Sequence, residues 1–206
     1  MSPAAADMLD PAHFANVLKP PLEAESLPAW CYTDPDFHRL EIERLFMKVW
    51  NFVGRNDLMP NPGDYLATDV AGIPIILIRD KDGSARAFAN SCRHRGTQLL
   101  TGEGNCKAIV CPYHGWAFDF DGALVSVPGM DETVGFDKDD HALIPLRLES
   151  WAGFLFVNFD AKAESLADYL GTLSDHIGSY NFPDMVTTRR KVWDVACNWK
   201  VYLENQ

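Results

Sequence analysis

Cys92-Arg93-His94-Arg95-Gly96 and Cys111-Pro112-Tyr113-His114-Gly115-Trp116 are the two stretches that decide how this chain is read. Each offers one thiol and one imidazole, and residues 95–110 separate the two sets. In the first, a single residue between Cys92 and His94 lets both side chains converge from a tight turn, and Gly96 has no Cβ in the way where the backbone bends. The second does the same with one residue more, Pro112 fixing φ and Gly115 relieving the exit. Both glycines also let backbone N–H groups approach the sulfurs, a contact that tunes whatever the sulfurs hold.

One thiolate and one imidazole per loop is the donor set of a Rieske [2Fe–2S] centre, in which two Cys hold one iron and two His the other. Neutral imidazoles in place of two thiolates raise the reduction potential above that of an all-Cys cluster, so the pattern points to electron transfer. A structural zinc would also accept two Cys and two His, but a zinc finger groups them as Cys-Cys then His-His on a ββα unit. Here they alternate on two Gly-turned loops.

The rest of the composition fits a globular redox protein. The 206 residues suit one domain, or one plus part of a second, and 47% hydrophobic residues suffice for a real core. A net charge of −11 argues against nucleic acid or an anionic membrane as partner. Much of the acidic excess lies in the stretch from Asp131-Glu132 through Asp137, Asp139 and Asp140, a pattern that reads as a solvated loop. With Cys92 and Cys111 assigned to the cluster, Cys31, Cys106 and Cys197 read as free thiols. The start, Met1 to Asp7, lacks a secretory signal and no apolar run reaches membrane-spanning length, so the expected compartment is the cytoplasm.

Along the chain, a Pro-rich arm runs to about Ala29. Asp34-Pro35 then caps an expected helix from Asp36 to about Val49, with Ile42, Leu45, Phe46 and Val49 facing a core. From Trp50 to about Asp160 the pattern is antiparallel β: 64–70, 73–79, 85–90, 108–110, 116–120 and 154–159, with Asp82-Gly83 and Asp121-Gly122 as hairpin turns. A helix over Glu164 to Tyr180 and a strand-like Val186 to Val195 follow. The expected fold class is α+β, mainly β: an arm and helix (1–49), an antiparallel Rieske domain (50–160) and the first elements of an incomplete catalytic domain (161–206).

CRHRG and CPYHGWAFDFDG, preceded by Phe88-Ala89-Asn90-Ser91 and followed by CNWKVYLENQ, resemble the α subunit of Rieske non-haem iron oxygenases, from about Thr33 to the end. That family includes ring-hydroxylating dioxygenases and choline-type monooxygenases. The resemblance implies Cys92, His94, Cys111 and His114 as metal ligands, with Arg95, Gly96, Gly115 and Trp116 around the cofactor. It also implies a mononuclear Fe(II) on a 2-His-1-carboxylate triad, whose ligands would lie beyond Gln206. No catalytic residue is assigned in this chain, and alone it is expected to be inactive. His13, His38, His141 and His176 read as surface or capping residues.

The implied partners are an NAD(P)H-dependent reductase or ferredoxin, a small organic substrate, and further copies in a homo-trimer, where electrons pass to a neighbouring subunit's iron. Arg93 and Arg95 flank the port, suited to loop solvation or to docking an acidic partner. A stand-alone Rieske ferredoxin is the alternative, although such carriers do not need the helix near Leu166 or Asn198-Trp199-Lys200. A mitochondrial-type Rieske protein would add a disulfide between the loops, for which Thr97 and Tyr113 offer no thiol.

Overall fold

A computed structural model describes residues 2–130 and 132–205, which divide into two compact units: residues 2–45 with 190–205, and the described residues of 46–189. The larger is antiparallel β, as the alternation and turn signals predict. Its strands are β1 (Asn51–Arg55), β2 (Asp64–Val70), β3 (Ile73–Arg79), β4 (Ala85–Ala89), β5 (Glu103–Asn105), β6 (Ile109–Val110), β7 (Ala117–Phe118), β8 (Leu124–Ser126), β9 (Pro145–Trp151) and β10 (Phe154–Asn158). Seven form one sheet in the order β1-β10-β9-β4-β3-β2-β5, and β6-β7-β8 form a second.

Strand β3 explains the arrangement. Its unbroken run Ile75-Ile76-Leu77-Ile78 is wholly buried, because both of its faces are covered. Ile75 and Leu77 join Met59, Leu66, Leu155 and Val157 on one side. Ile76 and Ile78 join Phe88, Ile109, Trp116, Phe118, Phe120 and Leu124 on the other, and this second core takes in Cys92 and Cys111. Each such side chain contributes about 1.5–3 kcal/mol of burial, and the cysteines sit among them in the second core.

The helix expected over Glu164 to Tyr180 is two short ones, α3 (Leu166–Leu170) and α4 (Leu173–Ile177). Gly171 separates them: it adopts φ +53° and returns its N–H to Ala167 and Asp168, a turn that favours glycine. Only Leu166 of the pair is fully buried. Val186 to Val195 forms no strand among the described residues; its apolar side chains, Trp193 included, are exposed and no neighbouring strand takes up its backbone groups.

In the smaller unit, α1 (Trp30–Thr33) and α2 (Pro35–Glu41) follow the arm, with Asp34 accepting the N–H groups of Asp36 and Phe37 as the cap requires. The helix expected to run on to Val49 widens instead into a π turn at Ile42–Phe46, which rotates the register and leaves Leu45 exposed rather than core-facing. The arm is not loose: Met8 is 2% exposed and packs with Cys31 and Phe37. Helix α5 (Trp199–Glu204), capped by Asn198, ties to α2 through a buried Lys200–Glu41 ion pair of 2.6 Å. The rings of Tyr32, Phe37 and Trp199 surround that ammonium. Breaking such a pair costs about 3–5 kcal/mol through the charge left unpaired.

Tyr32 donates its hydroxyl to both oxygens of Glu204, at 2.8 and 3.0 Å. Burial, reinforced by that carboxylate, pushes the phenol from 10.0 to about 12. The folded state therefore holds the proton more tightly than the unfolded chain, and the resulting stability is complete below pH 10 and lost as pH rises toward 12. Stability followed by denaturant titration should fall across that window in the native chain and stay flatter in Tyr32→Phe; parallel curves would contradict the contact.

Candidate functional site

The two motif loops leave strand ends of the two sheets, Cys92 three residues after the end of β4 and Cys111 directly after β6. Their backbones are copies of one turn. The Cys92 N–H donates to the Thr97 carbonyl at 2.8 Å and the Gly96 N–H to the Cys92 carbonyl at 2.9 Å. The Cys111 N–H donates to the Trp116 carbonyl at 2.8 Å and the Gly115 N–H to the Cys111 carbonyl at 3.0 Å. The extra residue in the second motif thus does not lengthen the turn; it moves the histidine one place along it. Gly96 and Gly115 share φ +73°, and a Cβ on either would meet nothing closer than 3.6 Å. The demand for glycine is conformational rather than steric, about 1–2 kcal/mol per position.

These turns bring the four predicted ligand residues together and sort them by solvent. Cys92 and Cys111 are 3% and 2% exposed, share one core and form no disulfide. Burial pushes the Cys92 thiol up; the N–H groups of His94 and Arg95, which donate to its sulfur, pull the other way, and Cys111 adds to the rise. Of the predicted Arg95, then, it is the main chain that reaches the sulfur while the side chain is exposed.

The imidazoles lie at the rim, ring centroids 4.7 Å apart, His94 half-buried and His114 exposed. Desolvation, His114 and Arg95 lower the His94 pKa, which favours the neutral ring that binds metals. Nδ1 of His94 is buried and has no hydrogen-bond partner, the single such side-chain atom among the described residues. A buried nitrogen without a partner needs an explanation, and a metal bond is one. No three His, Cys, Asp or Glu side chains gather on one point among the described residues. Two soft thiols inside and two imidazoles outside fit a dinuclear group that asks for two ligands per iron.

Packing fixes the rings. The indole of Trp116, 2% exposed, stacks on His94 at 4.7 Å and 9°. Tyr113 stacks on His114 at 3.7 Å. In the sequence Asn90 stands only as part of the Phe88-Ala89-Asn90-Ser91 stretch of the resemblance, with no role assigned to it; it directly follows β4. It is 1% exposed; its Oδ1 accepts the N–H groups of Leu99 and Leu100, and its Nδ2 donates to the Leu100 carbonyl at 2.8 Å. It clamps shut the loop that carries Cys92 and His94. Asn90→Ala leaves those buried backbone groups unpaired and should cost roughly 2–5 kcal/mol, measured by urea unfolding, with amide exchange rising at Leu99 and Leu100; unchanged exchange there would contradict the clamp.

Residues 49–149 match the family described as the Rieske [2Fe-2S] domain. The chain is 38% identical over 209 aligned residues to the carnitine monooxygenase oxygenase subunit of Escherichia coli strain K12, covering 100% of this chain and 55% of that protein. To the benzene 1,2-dioxygenase α subunit of Pseudomonas putida it is 36% identical, covering 84% of this chain and 40% of that one. Among solved structures, a quaternary ammonium Rieske monooxygenase studied for carnitine oxidation by gut microbiota and inter-subunit electron transfer superposes with a TM-score of 0.84 at 36% identity, over 88% of this chain and 51% of that one. The chain spans about half the length of the curated relatives it matches. A Rieske domain carries a [2Fe–2S] cluster, and the oxygenases of this family also use a mononuclear iron. With the paired turns, the buried thiols and the paired imidazoles in view, residues 49–149 are a Rieske [2Fe–2S] domain, and the chain as a whole is similar to the cluster-bearing portion of Rieske non-haem iron oxygenase α subunits.

Proposed function

We propose that Cys92 and Cys111 hold one iron of the [2Fe–2S] cluster and His94 and His114 the other, and that this chain is the electron relay of a Rieske oxygenase. The carrying observation is the division made by the two turns: thiols in the core, imidazoles at the rim, and a buried Nδ1 of His94 without a partner. When bound, the cluster supplies a one-electron store at a potential above that of all-thiolate clusters.

The residues around it bind, orient and shield. Buried Nδ1 of His94 faces inward duty, which leaves the other ring nitrogen for the rim, where an electron can cross and a proton can follow. Trp116 and the apolar core exclude water behind the thiols, and the N–H groups of His94 and Arg95 favour the thiolate form of Cys92. Arg93 and Arg95 give the rim positive charge in an otherwise acidic chain, suited to an acidic redox partner.

That partner, in this reading, is an NAD(P)H-dependent reductase or a ferredoxin. Delivery is to a mononuclear iron of a neighbouring copy in a trimer, supported by the inter-subunit electron transfer described for the similar monooxygenase. The end reaction is hydroxylation or demethylation of a small organic molecule, the range spanned by the carnitine and benzene oxygenases to which the chain is similar. Those relatives are oxygenase subunits, which disfavours a stand-alone ferredoxin. We assign the relay to residues 50–160, with 1–49 and 161–206 as flanking parts. No helix among the described residues is long and apolar enough to cross a membrane, and five unpaired cysteines suit a reducing cytoplasm.

Chain reconstituted with iron and sulfide should give the rhombic, low-g-average electron spin resonance of a Rieske centre. His94→Cys and His114→Ala should remove that signal while far-ultraviolet circular dichroism keeps the β signature. A chain that takes up only zinc, or variants with the native spectrum, would contradict the assignment.

A further inference from the structure

Trp116 is the largest side chain against His94, and two residues from the acidic loop hold it there. Phe136 meets its indole at 5.6 Å and 68°, and His141 at 5.8 Å and 76°, both edge-on. Phe136 and His141 in turn pack together at 4.7 Å. His141 is itself tethered: Nδ1 lies 2.8 Å from the Asp137 carbonyl, and its backbone N–H donates to Lys138. A carbonyl only accepts, so Nδ1 carries the proton and the ring orientation is set by the loop. The order of contact is thus His141 and Phe136 on Trp116, and Trp116 on His94, with interplanar angle 9° at the last step.

We propose that His141, together with Phe136, is a positioning residue of the redox site, holding the Trp116 indole flat against the His94 imidazole. The inference rests on the ligand assignment proposed above. It gives the segment after Pro128 a task that its composition hides, since an acidic run reads as solvated surface. An indole braced on one side by His94 and at its other contacts by two rings cannot tilt. Remove one brace and it gains freedom, and the space it gives up beside His94 admits water. Reduction adds one negative charge next to that imidazole, and water stabilises the charge, so loosening the brace shifts the centre toward its reduced form.

The test pairs a potential with a signal that needs no cluster. In the reconstituted chain, His141→Ala should raise the midpoint potential by a two- to tenfold change in the reduction equilibrium, the upper end being about 59 mV for a one-electron couple. Phe136→Leu should move it the same way, and His141→Phe, which keeps an aromatic edge, should restore the native value. In the chain without iron, the His94 ring protons should resonate upfield under the indole face, and should move downfield in His141→Ala and Phe136→Leu. If both readouts stay native in those two variants while Trp116→Leu moves them, the bracing role is wrong. Absence of any Rieske signal from the native chain would defeat the ligand assignment alone, because the iron-free resonances still decide whether His141 holds Trp116 on His94.

Discussion

Two thiols must lie in an apolar core while two imidazoles beside them stay at the edge of water, and the larger unit is organised around that division. A single turn, used twice, achieves it. In each copy the cysteine opens the turn and is drawn inward by the core face of β3, where Ile76 and Ile78 are fully buried. The left-handed glycine closes the turn four residues on and sends the chain back into the sheet. Between them the histidine takes the third place in one copy and the fourth in the other, so the two copies present their imidazoles 4.7 Å apart.

Precision of this kind needs support from rigid neighbours. Asn90 supplies it on one side by satisfying three backbone groups of the first loop. Trp116 supplies it on the other by stacking on His94. Both residues are buried, and both act on the backbone or ring of the first motif loop rather than on solvent-facing charge. Burial has an electrostatic cost as well: it holds the Cys92 thiol in its protonated form, and only the N–H groups of His94 and Arg95 oppose it. Metal uptake at such a site is bound up with proton release.

Much of this was legible in the sequence, and the exceptions share a cause. Residues 64–70 and 73–79 have the bounds of β2 and β3, because their side chains alternate or saturate in ways that only one fold environment explains. The two motif loops stood out because soft donors and glycines at close spacing have few other uses. Strands β1, β5, β8 and β9 went unseen; they are short or half-exposed, and their identity lies in a partner strand rather than in their own residues. The helix over Glu164 to Tyr180 kept its period through Gly171, but one residue at φ +53° was enough to divide it. The roles of Asn90 and His141 were unreadable for a related reason: each comes from what folds against the residue, although Asn90 lay within the stretch that carried the family resemblance and His141 was read as a surface or capping residue.

The most direct test of the account is pulsed electron–nuclear resonance on the reduced, reconstituted chain with heavy nitrogen in its histidines alone. Two inequivalent, strongly coupled imidazole nitrogens should appear, with one lost in His94→Cys and the other in His114→Cys. A cluster signal without histidine nitrogen coupling would show that thiolates alone hold the iron, and the division of thiols and imidazoles would then have another purpose.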